Sequence, residues 1–338
     1  MSDNTTPGQI RVGIIGIGGM ARAHVNQMAP VEGLTITALC DTNPAQFERA
    51  AEKFPAFADV FTTDDYRELL KRDDVDAVLI ATPHTQHIDQ AFAAVEAGKH
   101  VLLEKPMVCQ VEDAKKLLAR LEGHDKVFAL AYQRHAMGQF KYMRERIHSG
   151  DLGQVTFLSA LQCQGWKKGT AGSWRQEPEL SGGGQLNDSG SHLIDILLWV
   201  TGLTVAEVSA YVDNRGTPVD INSALAVKFT NGAQGNISVI GESVVGWHED
   251  ISIWCEKGAF LYRNGKLEET DASGKRTALE GDDLPFTETI DANFARCIRG
   301  ETTPAAPPLC GLRTIELTEA AWESGKQNGK PVVMNPME

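Results

Sequence analysis

The sequence predicts an α/β protein in two parts: a doubly wound parallel sheet over residues 10–133, then an α+β domain with a mostly antiparallel sheet over 134–338. Three observations predict it. Apolar strands alternate with helical stretches from Ile10 to Ala131. A glycine-rich turn, GIGGMA at 16–21, joins the first strand to the first helix. From Gln154 the pattern changes to alternating strands separated by turn signals such as Asn231-Gly232 and Asn264-Gly265.

A chain of 338 residues is too long for one small core, in keeping with two domains. With 32 basic and 45 acidic residues the net charge is −13. Nucleic acids and anionic membranes need a basic patch, so neither is an expected partner. No apolar run reaches the ~18 residues of a membrane span. Leu193–Leu203 comes nearest, and Asp195 interrupts it. The polar start, residues 1–9, reads as a disordered tail rather than a leader. The six cysteines form no CxxC pair and no metal spacing with histidine. They read as reduced thiols of a cytoplasmic protein, and no metal is expected.

Ile10–Ile15 is the first strand, and the glycine turn opens a helix through Met28. Within G-x-G-x-x-A, Gly16 allows the tight turn, Gly18 lets backbone approach a pyrophosphate, and Ala21 lets helix pack on strand. The unpaired N–H groups of the helix start, at Gly19 and Met20, then face the phosphates. Such turns also occur without a nucleotide; the flanking strand and helix favour the binding role here. The second strand, Leu34–Cys40, ends at Asp41, 25 residues after Gly16. An acid about 20 residues on binds a ribose diol and repels a 2′-phosphate, which favours NAD. Arg49 on the following helix, 45–53, leaves NADP open. Asp41 also suits an N-cap for that helix.

A short helix over 66–71 precedes the strand Val75–Ala81, which ends in Thr82-Pro83-His84. The next helix runs from Gln86 to Ala97, with His87 in its first turn and Gly98 as its cap. Val101–Pro106, VLLEKP, reads as a buried strand closed by its proline, with Glu104 and Lys105 at the carboxyl end. An ammonium is costly to bury alone, so Lys105 either pairs with Glu104 or points at a ligand. A helix over 112–121 and a strand over 127–131 complete the alternation. The glycine turn, Asp41, Thr82-Pro83 and Glu104-Lys105 thus end four strands. In a Rossmann sheet these ends share the edge where ligands bind. That convergence argues for a nucleotide crevice more strongly than any single motif.

The second domain is expected to hold strands at 155–162, 205–213, 223–229, 234–240, 251–256 and 259–262. A long excursion, 163–203, separates the first two. Insertions of that length are usually functional or disordered, and its Trp, Arg, Gly and His content argues against disorder. After Gly182-Gly183-Gly184 it turns helical. Asp188, His192 and Asp195 then stand at i, i+4 and i+7, on one face. The same pattern suits Asp188 as an N-cap and His192 as a buried histidine bonded to Asp195. Helices near 288–299 and 312–327 close the chain, with a proline-rich linker at 304–308.

With GIGGMA at 16–21, ATPHTQH at 81–87, EKP at 104–106, SGDLG at 149–153 and SGGGQLNDSGSHLID at 181–195, the chain resembles the GFO/IDH/MocA family (glucose–fructose oxidoreductase, inositol dehydrogenase, rhizopine catabolism). The resemblance covers roughly residues 10–330. It implies an N-terminal Rossmann domain, a C-terminal domain with a large open-faced sheet, a nicotinamide cofactor and a sugar, polyol or related alcohol as substrate. Lys105 matches the family's active-site lysine, and Asp188 and His192 its aspartate and histidine. A cis Lys105–Pro106 peptide is implied too. His84 stands where many relatives have Asn.

On that basis hydride passes between the nicotinamide and a secondary hydroxyl of a sugar, polyol or glycoside. His192 is the candidate base, since imidazole titrates near operating pH. Lys105 stabilises charge on the same oxygen, and Asp188 orients the substrate or the imidazole. Lys105 as base is the alternative. Cofactor contacts are expected from Gly16, Gly18, Gly19, Met20, Asp41, Thr82, Pro83, His87, Glu104 and Lys105, and substrate contacts from Gln133, Arg134, Trp166, Lys167, Trp174, Arg175, Asp188 and His192. Indole faces and planar donors suit sugars. An NAD-dependent glycosidase and a non-catalytic NAD-binding regulator are the competing readings. Apolar alternate positions in ALAVKF and ISVI predict a homodimer or homotetramer through the second sheet.

Overall fold

The computed structural model describes residues 8–334, so most of the expected N-terminal tail, residues 1–7, lies outside the described residues. The chain forms two compact units. The first comprises the chain up to Val108 with Glu112–Gln133 and Glu288–Pro308; the second comprises Cys109–Val111, Arg134–Thr287 and the chain from Leu309. Glu288–Pro308, which the sequence alone assigns to the second domain, therefore packs with the first.

The first unit alternates β1 (Ile10–Ile15), α1 (Gly19–Met28), β2 (Leu34–Cys40), α2 (Ala45–Lys53), β3 (Phe61–Thr63), α3 (Tyr66–Leu70), β4 (Ala77–Ile80), α4 (His87–Glu96), β5 (His100–Leu103), α5 (Val111–Leu121) and β6 (Phe128–Leu130). All six strands pair in parallel in the order β3-β2-β1-β4-β5-β6. This is the doubly wound order whose ligand crevice lies at the carboxyl ends of the strands. Val12 and Ile14, Ala77 and Leu79, and Leu102 are fully buried in its core, as strands covered on both faces require. β5 ends at Leu103, three residues before the proline expected to close it. Glu104, Lys105 and Pro106 thus stand beyond the strand, at the sheet edge.

In the second unit α6 (Gly138–His148) precedes β7 (Val155–Gln164). Short helices α7 (Trp166–Gly169) and α8 (Pro178–Ser181) lie in the excursion, which ends in α9 (Ser189–Thr201). There follow β8 (Val205–Asp213), β9 (Asn222–Phe229), β10 (Gln234–Ile240), β11 (Trp247–Cys255), β12 (Gly258–Arg263), β13 (Lys266–Thr270) and β14 (Arg276–Leu279). Helix α10 (Ile290–Ile298) belongs to the first unit; α11 (Pro308–Lys326) and β15 (Val332–Val333) end the described chain. The sheet runs β14-β13-β12-β11-β7-β10-β9-β8-β15, antiparallel except at β7–β10. One face buries Leu158, Ala160, Leu225, Val227, Ile237, Ile251 and Ile253 against α6, α9 and α11. The other face carries Phe157 and Trp254, both exposed and in edge contact at 5.8 Å. The sequence reading has no counterpart for α6, β13, β14 and β15.

Candidate active site

In the first unit, Gly16 has φ +84°, and a Cβ there would meet the Ala81 carbonyl oxygen at 2.8 Å. Glycine is required at this turn. At Gly18 and Gly19 a Cβ would meet nothing within 4 Å, so the turn opens onto space. Helix α1 starts without a side-chain cap and with no acid in its first turn. Its end therefore offers uncapped N–H groups and a positive dipole, and an anionic pyrophosphate fits there.

Asp41 is tied into the same turn. Its Oδ2 accepts from Ile17 N at 2.8 Å and its Oδ1 from Asn43 N at 2.9 Å. It is not the cap of α2, which Pro44 precedes. Its half-buried carboxylate keeps lone pairs for a ribose diol. Thr82 and Pro83 are half-buried at the end of β4, with the Thr82 hydroxyl donating to Gln90 Oε1 at 2.6 Å.

His87 departs from its expected role as a cofactor contact. The ring is fully buried, with Nδ1 2.8 Å from the Pro106 carbonyl and Nε2 3.0 Å from the Thr82 carbonyl. Burial pushes its imidazole below the ordinary value. It braces the backbone at Pro106 instead of facing outward. Glu104 is likewise turned inward: Oε1 meets His24 Nε2 at 2.8 Å, and Oε2 accepts from the Lys105 backbone N–H at 3.0 Å. Lys105 is 9% exposed, and its peptide bond to Pro106 is cis. Gln133, half-buried, ends this stretch of the unit.

In the second unit, Asp188 stands at the N-cap position of α9 but makes no side-chain cap. Its Oδ2 instead accepts from Trp166 Nε1 at 2.8 Å and Arg175 Nε at 3.0 Å. The Arg175 guanidinium lies 4.5 Å from the centre of the Trp174 ring. Trp166 and Arg175, expected to touch substrate, thus grip the aspartate, and the excursion is folded around it. The turn before Asp188 is fixed from beneath. Asp220, buried, accepts from Gly184 N and Leu186 N at 2.8 and 2.7 Å and from Trp322 Nε1 at 3.0 Å. A Cβ at Gly184 would fall 1.9 Å from the Asp220 carbonyl oxygen, which demands glycine.

His192 follows one turn later and is half-buried. Asp195 does not bond it. Asp195 is buried and meets His135 Nε2 at 2.8 Å. Burial pushes Asp195 up, against the opposing pull of His135 and Arg134. The polar stripe of α9 therefore splits: Asp195 faces the interior, while Asp188 and His192 mark the helix start. Arg134 serves this helix too, donating to the His192 carbonyl at 3.2 Å and pairing with buried Glu249 at 2.7 Å. Lys167 pairs with Glu242 at 2.7 Å and donates to the Arg215 carbonyl at 2.8 Å. Both are structural partners where substrate contacts were expected. Among the described residues, His135, Asp195 and Cys310 bring potential ligand atoms within 4.8 Å of one another, but the His135–Asp195 hydrogen bond already occupies the pair.

Sequence reasoning passed over His24, Asp220 and Glu249. For His24 a signal existed: Ala21, His24, Val25 and Met28 form the buried stripe of α1, and one member is a histidine. Asp220 and Glu249 join segments distant in sequence and left no local mark.

A doubly wound unit with an open glycine turn and a strand-end acid, joined to a sheet unit presenting an Asp-x-x-x-His pair, defines a dinucleotide-dependent enzyme. Residues 10–132 match the family profile described as "Oxidoreductase family, NAD-binding Rossmann fold", and residues 140–261 match the GFO/IDH/MocA C-terminal domain. The chain belongs to the GFO/IDH/MocA family, and it is an NAD-dependent oxidoreductase. It is 28% identical to the levoglucosan dehydrogenase of Pseudarthrobacter phenanthrenivorans over 325 residues, 83% of each chain. A levoglucosan dehydrogenase structure with NADH and levoglucosan superposes with a TM-score of 0.85 at 22% identity, covering 97% of this chain and 100% of that one. A Shewanella glycosyl hydrolase family 109 protein is 34% identical, over 49% of this chain and 39% of its own.

Proposed function

We propose that the enzyme oxidises a secondary hydroxyl of a sugar or polyol reversibly, with Lys105, Asp188 and His192 serving the reacting alcohol. The observation that carries this reading is the ordered Asp188–His192 pair at the head of α9, its carboxylate gripped by Trp166 and Arg175. The levoglucosan dehydrogenase relative, matched over most of both chains, supports an alcohol on a sugar ring. Bound NAD supplies the hydride acceptor; the Gly16–Met20 turn and Asp41 hold it. His192 takes the hydroxyl proton. Lys105 donates to the same oxygen and stabilises the charge that develops there. Asp188, held by its two donors, orients a neighbouring hydroxyl. Trp174, half-buried under Arg175, offers the remaining indole for a sugar face.

The test is a panel of sugars, anhydrosugars, inositols and glycosides assayed with NAD⁺ and NADP⁺. Net NADH formation from a ring alcohol is expected. The family 109 match favours a second reading, in which oxidation is transient and a glycoside is cleaved. Hydrolysis of a p-nitrophenyl glycoside without net NADH would establish that reading instead.

Assembly and location belong to the same proposal. The outer face of the second sheet, with Phe157, Trp254 and the exposed Ala224 and Ala226, suits a second copy of the chain. Light scattering should give a dimer or tetramer. No helix among the described residues is long and apolar enough to cross a membrane, and the six cysteines are free thiols, which suits a reducing compartment such as the cytoplasm.

A further inference from the structure

His24 on α1 is 1% exposed and has carboxylates on both sides. Its Nδ1 lies 2.8 Å from Asp291 Oδ1 on α10, and its Nε2 lies 2.8 Å from Glu104 Oε1. Glu104 and Asp291 are 4% and 0% exposed. An ionised carboxylate only accepts, so two of them require a proton on each ring nitrogen. A neutral ring would turn the lone pair of one nitrogen toward a carboxylate oxygen at 2.8 Å, a costly arrangement. Burial alone would lower the imidazole pKa, but the hydrogen bonds and charges of Asp291 and Glu104 outweigh it and raise it to about 10. Burial works against the Glu104 charge as well, and His24 and Lys105 overcome it, holding the carboxyl below the usual range.

We propose that His24 is a positioning residue for Lys105: a cationic imidazole that fixes Glu104, and through it both the backbone and the counter-charge of the lysine. Asp291, His24, Glu104 and Lys105 form a row of alternating charge. Glu104 is the hinge of the row, since Oε1 is held by His24 while Oε2 takes the Lys105 N–H at 3.0 Å. On the far side His87 holds the Pro106 carbonyl at 2.8 Å. Two buried histidines therefore bracket the Glu104–Pro106 segment, one through a side chain and one through the backbone. The histidine lost from the cofactor-contact set and the one missed in the sequence have related jobs.

This inference rests on the proposed role of Lys105, and three variants separate the two. His24→Asn and Glu104→Gln each break the His24–Glu104 ion pair. Asp291→Asn leaves that pair in place. One charge-assisted hydrogen bond corresponds to about ten- to a hundredfold in rate. His24→Asn and Glu104→Gln should therefore lose kcat by about that factor, with the KM for the alcohol changed less than about threefold. Asp291→Asn should lose no more than about threefold in kcat, whatever its cost in Tm.

A readout independent of turnover uses nucleotide-free protein. Acetic anhydride labelling of Lys105, followed by mass spectrometry, reports how much of the lysine is unprotonated. Removing its counter-charge should speed labelling at pH 8 about fivefold or more in Glu104→Gln, and leave Asp291→Asn near the parent. The inference is overturned if kcat losses merely follow Tm across the three variants, or if labelling is unchanged in all of them. Should His24→Asn fail to fold, Glu104→Gln against Asp291→Asn still decides. Lys105→Met is the control for the underlying reading: full turnover in that variant overturns the role of Lys105 itself. An inactive Lys105→Met beside fully active His24→Asn and Glu104→Gln overturns only the part given to His24.

Discussion

Asp41 accepts from Ile17 N at 2.8 Å and from Asn43 N at 2.9 Å, and the same carboxylate is the proposed partner of a ribose diol. Asp41→Ala should therefore do two things. It removes the charge that repels a 2′-phosphate, so the preference for NAD⁺ over NADP⁺ in kcat/KM should fall by about tenfold or more. It also leaves Ile17 N without its acceptor, which should lower Tm. Steady-state kinetics with both cofactors and a thermal melt check the pair. An unchanged cofactor preference with a lowered Tm would assign Asp41 to the turn alone. Trp166 and Arg175 are likewise tied into the fold by hydrogen bonds. Residue type marked them as belonging to the site, and the Trp166 Nε1–H and Arg175 Nε–H serve Asp188 there.

At the scale of elements, β1, α1, β2 and α2 begin and end as the sequence suggests, since Gly16, Asp41 and Pro44 are local signals with local consequences. The apolar stretch at 75–81 is legible as a strand but shortens to Ala77–Ile80, because pairing with β1 and β5 sets its length. α6 is harder to read: Phe140, Met143 and Ile147 form its buried face amid Lys and Arg. β13 and β14 are short, polar and exposed at many positions, so alternation is faint there. The Asp188-x-x-x-His192 spacing was visible, and the splitting off of Asp195 was not, because His135 comes from 60 residues away. The element that sets α9 in place is the turn over Asp220. Replacing Asp220 with Ala strips the acceptor from Gly184 N, Leu186 N and Trp322 Nε1, at a cost of about 1–3 kcal/mol per unsatisfied buried donor. The variant should melt earlier and lose kcat far more than NADH binding, as fluorescence titration would show; equal loss of both would contradict this placement.

For the molecule as a whole, His24 links stability to pH. The unfolded chain releases this proton near pH 6.5, whereas the folded protein holds it to about 10. A raised folded value means the contribution is complete below pH 6.5, shrinks as pH rises, and is gone above about 10. Tm should therefore decline across that window, and His24→Asn should flatten the decline. Parallel curves for parent and variant would assign the pH dependence elsewhere. The acidic chain, at −13, adds self-repulsion over the same range, so the difference between the two curves is the informative quantity.

The proposal that Lys105 and His192 serve one hydroxyl is tested most directly by a double-mutant cycle on kcat/KM, using Lys105→Ala, His192→Ala and the pair. Each single variant should lose about a hundredfold or more, and the pair far less than the product of the two losses, because groups acting on one oxygen are strongly non-additive. Losses that multiply would show that the lysine and the histidine act independently.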